Sequence, residues 1–176
     1  MVRAKTVTKP ELLVNGDDAE FRAFVHDFLA VSQILTEIRA GFGEYLGLTG
    51  IQYTILISVS HLQGRAGIGI NAIAEHLHLS GAFITTEAAK LVRAGLISKR
   101  VNTKDKRRVL LSITPEGRSL LNKLVEVQAP VNDALFDTLT AKEFMPLKAI
   151  MARLVPCAAR SLALLDYLTG RKTGTN

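Results

Sequence analysis

Apolar residues recur at helical spacing through most of the chain. Phe21, Phe24, Val25, Phe28, Val31, Leu35 and Ile38 follow one another every three or four residues, which predicts a long helix starting near Asp17 or Asp18 with one apolar face. Thr49-Gly50-Ile51-Gln52 has the pattern of a capping box and predicts a second helix to about Leu62. GRAGIG then reads as a loop. Ile70, Ile73, Ala74 and Leu77 predict the inner face of a short helix, and a turn at His78-Leu79 leads to Ser80, a good N-cap. In the helix after Ser80, Ile84, Ala88, Leu91 and Val92 form the buried stripe, and Gly95 closes it as a residue able to enter the left-handed region. Ile97 begins a short strand, a tight basic loop follows, and apolar residues resume at Val109 in a second strand. Thr114-Pro115-Glu116 supplies an N-cap, a proline at the first helical position and an acid near the positive end of the dipole, predicting a helix through about Leu139. Thr140-Ala141-Lys142-Glu143 is a second capping box. It opens a last helix carrying Leu147, Ile150, Met151, Leu154, Leu162, Leu165 and Leu168, which Pro146 and Pro156 are expected to bend or interrupt.

Two short helices joined by a tight turn and followed at once by a basic hairpin describe a winged helix-turn-helix. The expected fold is mainly α with a small antiparallel β-wing, in five parts. These are a mobile N-terminal arm (1–17), an N-terminal dimerisation helix (18–48), the winged helix-turn-helix (49–114), C-terminal dimerisation helices (115–170) and a flexible tail (171–176). The terminal helices carry more apolar residues than one face of a single protomer needs, and pairing of two chains is the simplest way to cover them.

Charge sharpens this picture. The chain has 176 residues, 48% hydrophobic and 22% charged, as a globular protein does, and its net charge is +6. Lys99, Arg100, Lys104, Lys106, Arg107 and Arg108, offset only by Asp105, place a net +5 on the hairpin alone, which points to an anionic partner such as duplex DNA. No apolar run approaches the length that crosses a bilayer and the N-terminus lacks a signal-peptide core, so a cytosolic protein without a membrane partner is expected. One cysteine, Cys157, excludes an intrachain disulfide; it reads as a packing residue, with a redox or intersubunit role as the alternative. The spacing of His26, His61, His76 and His78 does not suggest a metal site. There is no P-loop, no G-x-S-x-G and no metal-spaced His/Glu pair, so neither an enzyme nor a cofactor is expected.

LTGIQYTIL, then AIAEHLHLSGAFITTEAAKLVRAGLISK, then Asp105-Lys106-Arg107 leading into VLLSITPEG resemble the MarR family of bacterial transcriptional regulators, over roughly Phe21 to Leu168. The D-x-R wing and the following strand with L-T-x-x-G, here SITPEG, are the most specific part of the likeness. The resemblance implies a homodimer intertwined through its terminal helices, which binds a pseudo-palindromic operator and is in many members released by a small, often phenolic, ligand. Other members respond to oxidation or to zinc. It also implies that Ser80, Gly81, Phe83, Thr85, Thr86 and Lys90 include the groove-facing residues of the recognition helix. This chain departs from related sequences, which frequently place an arginine near Thr86 and an apolar residue near Glu87.

In the wing, Lys99, Asn102, Lys104, Asp105, Lys106, Arg107 and Arg108 are the candidate DNA contacts. Arg107 is expected to enter the minor groove, with Asp105 paired to it or to Arg108, while Lys104, Lys106 and Arg108 meet phosphates. A ligand pocket is expected near Arg39, Phe42, Tyr45 and Tyr53, where aromatic walls and one cation suit a phenolic carboxylate. The leading function is ligand-responsive, sequence-specific DNA binding, most often repression; the alternative is a sequence-independent architectural nucleic-acid binder.

Overall fold

In a computed structural model, residues 4–102, 105 and 108–171 are described. They form α1 (Ala19–Tyr45), α2 (Gly50–Leu62), β1 (Ile68–Gly69), α3 (Ile70–Leu77), α4 (Gly81–Arg93), β2 (Ile97–Val101), β3 (Val109–Ile113), α5 (Pro115–Leu135) and α6 (Ala141–Thr169). The strands make an antiparallel sheet in the order β1-β3-β2. The chain divides into two compact units, residues 1–124 and 125–176. No helix among the described residues is long and apolar enough to cross a membrane.

The core of the first unit gathers one residue set from each local pattern. Ile55, Leu56 and Val59 of α2, Ile73 of α3, Ile84, Ala88 and Leu91 of α4, and Ile97, Leu111 and Ile113 of the sheet form one buried cluster. The Thr49 capping box is made in full, and Ser80 Oγ accepts the Phe83 N–H at 3.2 Å to start α4. Between α3 and α4 the chain turns at His78, which adopts φ 53°, so the left-handed residue of the helix-turn-helix is not a glycine here.

Three local expectations are corrected. GRAGIG is not all loop: Ile68 and Gly69 pair with Leu111 and Leu110, a strand too short to show alternation but held by the ladder to β3. α5 ends at Leu135 rather than near Leu139, because the chain must turn through Phe136 to Thr138 before Thr140 can take the extended conformation that caps α6. α6 runs unbroken through Pro146 and Pro156, as α5 does through Pro130. Each proline deprives the carbonyl four residues earlier of its partner, but those carbonyls belong to Lys142, Ala152 and Glu126, all exposed residues, where solvent can take the place of the lost bond.

The polar N-terminal segment contains a 3₁₀ turn, Pro10–Leu12, and a bridge between Val14 and Asp17. Asp18, the residue before α1, is buried, yet its carboxylate does not cap the helix. It accepts instead from the Thr6 amide at 2.6 Å and the Thr6 hydroxyl at 2.7 Å, and pairs with Arg22. These bonds, the Thr6 amide first, hold its pKa at about 2, below the ordinary 3.8. Because the folded value is the lower one, the stability they contribute is present above the ordinary value and is lost as pH falls toward about 2. Denaturation midpoints of wild type and Asp18→Asn should therefore differ most above pH ~4 and converge as the pH falls below it; parallel curves across that window would refute the latch.

Candidate nucleic-acid interface

Around its buried stripe, α4 leaves Phe83, Thr85 and Thr86 exposed, and Gly81 half-buried at its start. The Thr85 hydroxyl donates to the Gly81 carbonyl at 2.7 Å and that of Thr86 to the Ala82 carbonyl at 3.1 Å. Their protons are directed back along the helix, so each side chain presents outward a lone pair and a methyl group. Such a face suits exocyclic amino groups of cytosine or adenine and the methyl of thymine. Lys90 is exposed as well, and its ammonium lies 2.7 Å from Glu87 Oε1 on the same helix.

The hairpin stands beside α4. β2 and β3 pair in register from Ile97↔Ile113 to Val101↔Val109, and the ladder is extended by the Asn102 N–H donating to the Arg108 carbonyl at 2.9 Å. Asp105 pairs with Arg108 at 3.1 Å, and the Arg108 side chain is 75% exposed, so the cation stays at the surface while its direction is restrained. Arg100 turns away from the tip and donates to the Ala66 carbonyl at 2.6 Å, tying the base of the wing to the chain before β1. Lys104, Lys106 and Arg107 lie outside the described residues.

Two grooves run between these elements. One, of about 580 Å³, is lined by Thr85, Thr86, Arg93, Lys99 and Leu111. The other, of about 380 Å³, is lined by Asn71, Gly81, Thr85, Asn102 and Arg108. The fold thus brings Gly81, Thr85, Thr86, Lys99, Asn102 and Arg108 to one face. A strand of duplex passing between a helix in the major groove and a wing in the minor groove would cross this face. Asn71 and Arg93 were not singled out from the sequence: one opens α3 and the other closes α4, and neither position has a local pattern that marks it.

The four residues expected to line a ligand pocket stand in different surroundings. Phe42 and Tyr53 are buried against each other edge to face, 6.0 Å between ring centres, as part of the packing of α1 on α2. Tyr45 is exposed. Arg39 does line a cavity, of about 440 Å³, with Thr36, Thr54, Ser58 and His76, and its buried Nε has no hydrogen-bond partner. Cys157, expected in packing, is exposed on α6 with Arg160 Nη2 at 3.1 Å from its sulfur. No group of three or more His, Cys, Asp or Glu able to hold a metal occurs among the described residues.

A helix-turn-helix with an exposed second helix and a basic antiparallel hairpin defines a winged-helix DNA-binding fold. The family model described as transcriptional regulator SarA/Rot matches residues 42–124. The chain is 24% identical over 130 residues to the HTH-type transcriptional repressor MdtR of Bacillus subtilis, spanning 74% of this chain and 84% of that protein. Its fold is shared with MepR of S. aureus in a DNA complex (TM-score 0.62, 21% identity, 76% of this chain and 97% of that one). It is shared equally with a C80S mutant of MarR from E. coli in complex with operator DNA (TM-score 0.62, 22% identity, 77% and 95%). Over these residues the chain is similar to transcriptional regulators of the SarA/Rot and MarR type.

Proposed function

We propose that the protein is a repressor that binds a pseudo-palindromic duplex operator as a homodimer. The observation that carries the reading is the single face shared by the outward threonines of α4 and the cations of the wing. The repressor MdtR and the DNA complexes of MepR and MarR support it by likeness. In this reading residues 49–114 bind DNA, and the helices within 18–48 and 115–170 hold two chains together. Pairing is supported by the apolar side chains that α1 exposes (Phe24, Phe28, Leu29, Val31 and Ile34) and by those along α6. The Arg39 cavity supports release by a small aromatic carboxylate, with the guanidinium as its counter-charge.

Footprinting on the DNA upstream of the protein's own gene, with and without simple phenolic carboxylates, tests specificity and effector together. A protected two-fold site that vanishes with the ligand is the expected result; equal affinity for random duplex at the same salt would favour the architectural alternative instead. Arg107 is assigned to the minor groove on its place in the wing motif. Arg107→Ala should weaken operator binding at least about tenfold and leave the melting temperature nearly unchanged. Unaltered affinity in a titration would remove that assignment.

A further inference from the structure

A carboxylate sits where the recognition helix is otherwise apolar. Glu87 lies between Ile84 and Leu91 in the buried stripe of α4 and is only 7% exposed. Both its oxygens are engaged: Oε1 accepts from Lys90 Nζ at 2.7 Å, and Oε2 from Gln52 Nε2 of α2 at 3.2 Å. The Lys90 ammonium first, and the Gln52 amide after it, hold the carboxyl below its usual range against the opposing effect of burial.

Gln52 is committed at its other end as well. Its Oε1 accepts the Thr49 N–H at 3.2 Å, while its own backbone N–H donates to Thr49 Oγ1 at 3.3 Å. Turning the side-chain amide over would set oxygen against the Glu87 carboxylate and NH₂ against the Thr49 N–H, two repulsive contacts in place of two bonds. Thr49 in turn belongs to a corner pressed against α1. A Cβ on Gly43 would stand 2.9 Å from the Thr49 carbonyl oxygen, and one on Gly50 would stand 3.0 Å from Ala40 Cα. An unbroken run of close contacts therefore leads from α1 through Thr49 and Gln52 to Glu87 and Lys90.

We propose that Glu87 is the positioning residue of the recognition helix: held by Gln52 from α2, it sets the rotation of α4 and directs Lys90. The proposal rests on the chain being a sequence-specific DNA binder. A leucine at this place would pack between Ile84 and Leu91, and the ammonium it releases belongs to Lys90, whose side chain is 45% exposed and can be hydrated. Such packing would not be directional. A hydrogen bond tolerates little rotation of the helix, whereas a leucine slides, and hydrogen bonds to base edges need the reading side chains held within about 0.5 Å. Stability and discrimination should therefore come apart when Glu87 is changed.

The test uses the full chain, the duplex it enriches from a random-sequence pool, and a scrambled duplex of equal length. Glu87→Leu is expected to keep or raise the melting temperature while its preference for the enriched duplex falls at least about tenfold. Gln52→Glu retains an acceptor for the Thr49 N–H but opposes two carboxylates, and should lose preference similarly. Adding Glu87→Gln to it rebuilds the donor and acceptor in reverse, and should return the preference to within about threefold of wild type. Full preference in folded Glu87→Leu, or no recovery in the double variant, overturns the proposal. A wild-type chain that enriches no sequence overturns both this proposal and the reading beneath it.

Discussion

Replacing Leu162 and Leu165 by glutamate is expected to convert the proposed dimer into monomers and to abolish binding to its proposed operator. None of the residues of α6 is buried in the single chain, and Leu162 and Leu165 are 54% and 46% exposed. They continue the face that carries Leu147, Ile150 and Leu154, all exposed too. From Leu147 to Leu165 on this helix the face extends for about 27 Å. Burying each leucine against a second chain contributes roughly 1.5–3 kcal/mol, and a carboxylate in the same place would need to be desolvated without a partner. Two such changes should raise the dimer dissociation constant at least about a hundredfold. DNA affinity falls with it, because two winged units on one dimer bind their half-sites with a high effective concentration that separate monomers lack. Sedimentation velocity over a range of concentrations, paired with a gel-shift titration, reads both effects. A variant that stays dimeric, or a monomer that keeps full affinity, would place the dimer contact elsewhere; retained helicity by circular dichroism separates either result from unfolding.

Gly117→Ala should be the most damaging single-methyl change in the winged unit. Gly117 stands in the first turn of α5, where its N–H donates to the Thr114 hydroxyl at 2.9 Å while that hydroxyl donates to the Gly95 carbonyl at 2.7 Å. The Thr114 N–H binds the Leu96 carbonyl at 3.1 Å, so the helix start is drawn onto the chain entering β2. A Cβ on Gly117 would lie 2.1 Å from that carbonyl oxygen and 3.1 Å from Ile113 Cγ1. Backbone must move to admit it, at a cost of roughly 2–3 kcal/mol, equivalent to a fall in melting temperature of about 5–10 °C. Gly41→Ala is the matched control: nothing lies within 4 Å of its added methyl, and alanine is the better helix former. Its melting temperature should hold or rise. Equal midpoints for the two variants would show that α5 is not seated where these bonds place it.

The same glycine shows why part of the site was legible in the sequence. SITPEG stands out as a string because a cap, a proline and a glycine are all required within four residues of one another, and such short-range demands leave their mark on neighbouring letters. The capping boxes at Thr49 and Thr140, the stripe of α4 and the concentration of cations on the hairpin are legible for the same reason. Where the expectation failed, the deciding partner was remote or absent from the local pattern. Pro146 and Pro156 were expected to bend or interrupt α6, but the helix continues through both, where the residues one turn earlier are exposed. Phe42 and Tyr53 have the composition of a pocket wall, and only the crossing of α1 on α2 turns their rings onto each other.

By itself the sequence determined the order of the helices, their capped starts, the position of the wing and its charge, since each depends on residues within about one helical turn. Tertiary structure alone decided which charges are available. Arg100 is tied to Ala66 across 34 residues and Glu87 to Gln52 across 35. It also decided that Ile68 and Gly69 are a strand and that Arg39 faces a cavity between α1, α2 and α3. The physical reason is common to all of these: hydrogen bonds and burial depend on distance in space, and folding sets distances between segments that no local periodicity encodes.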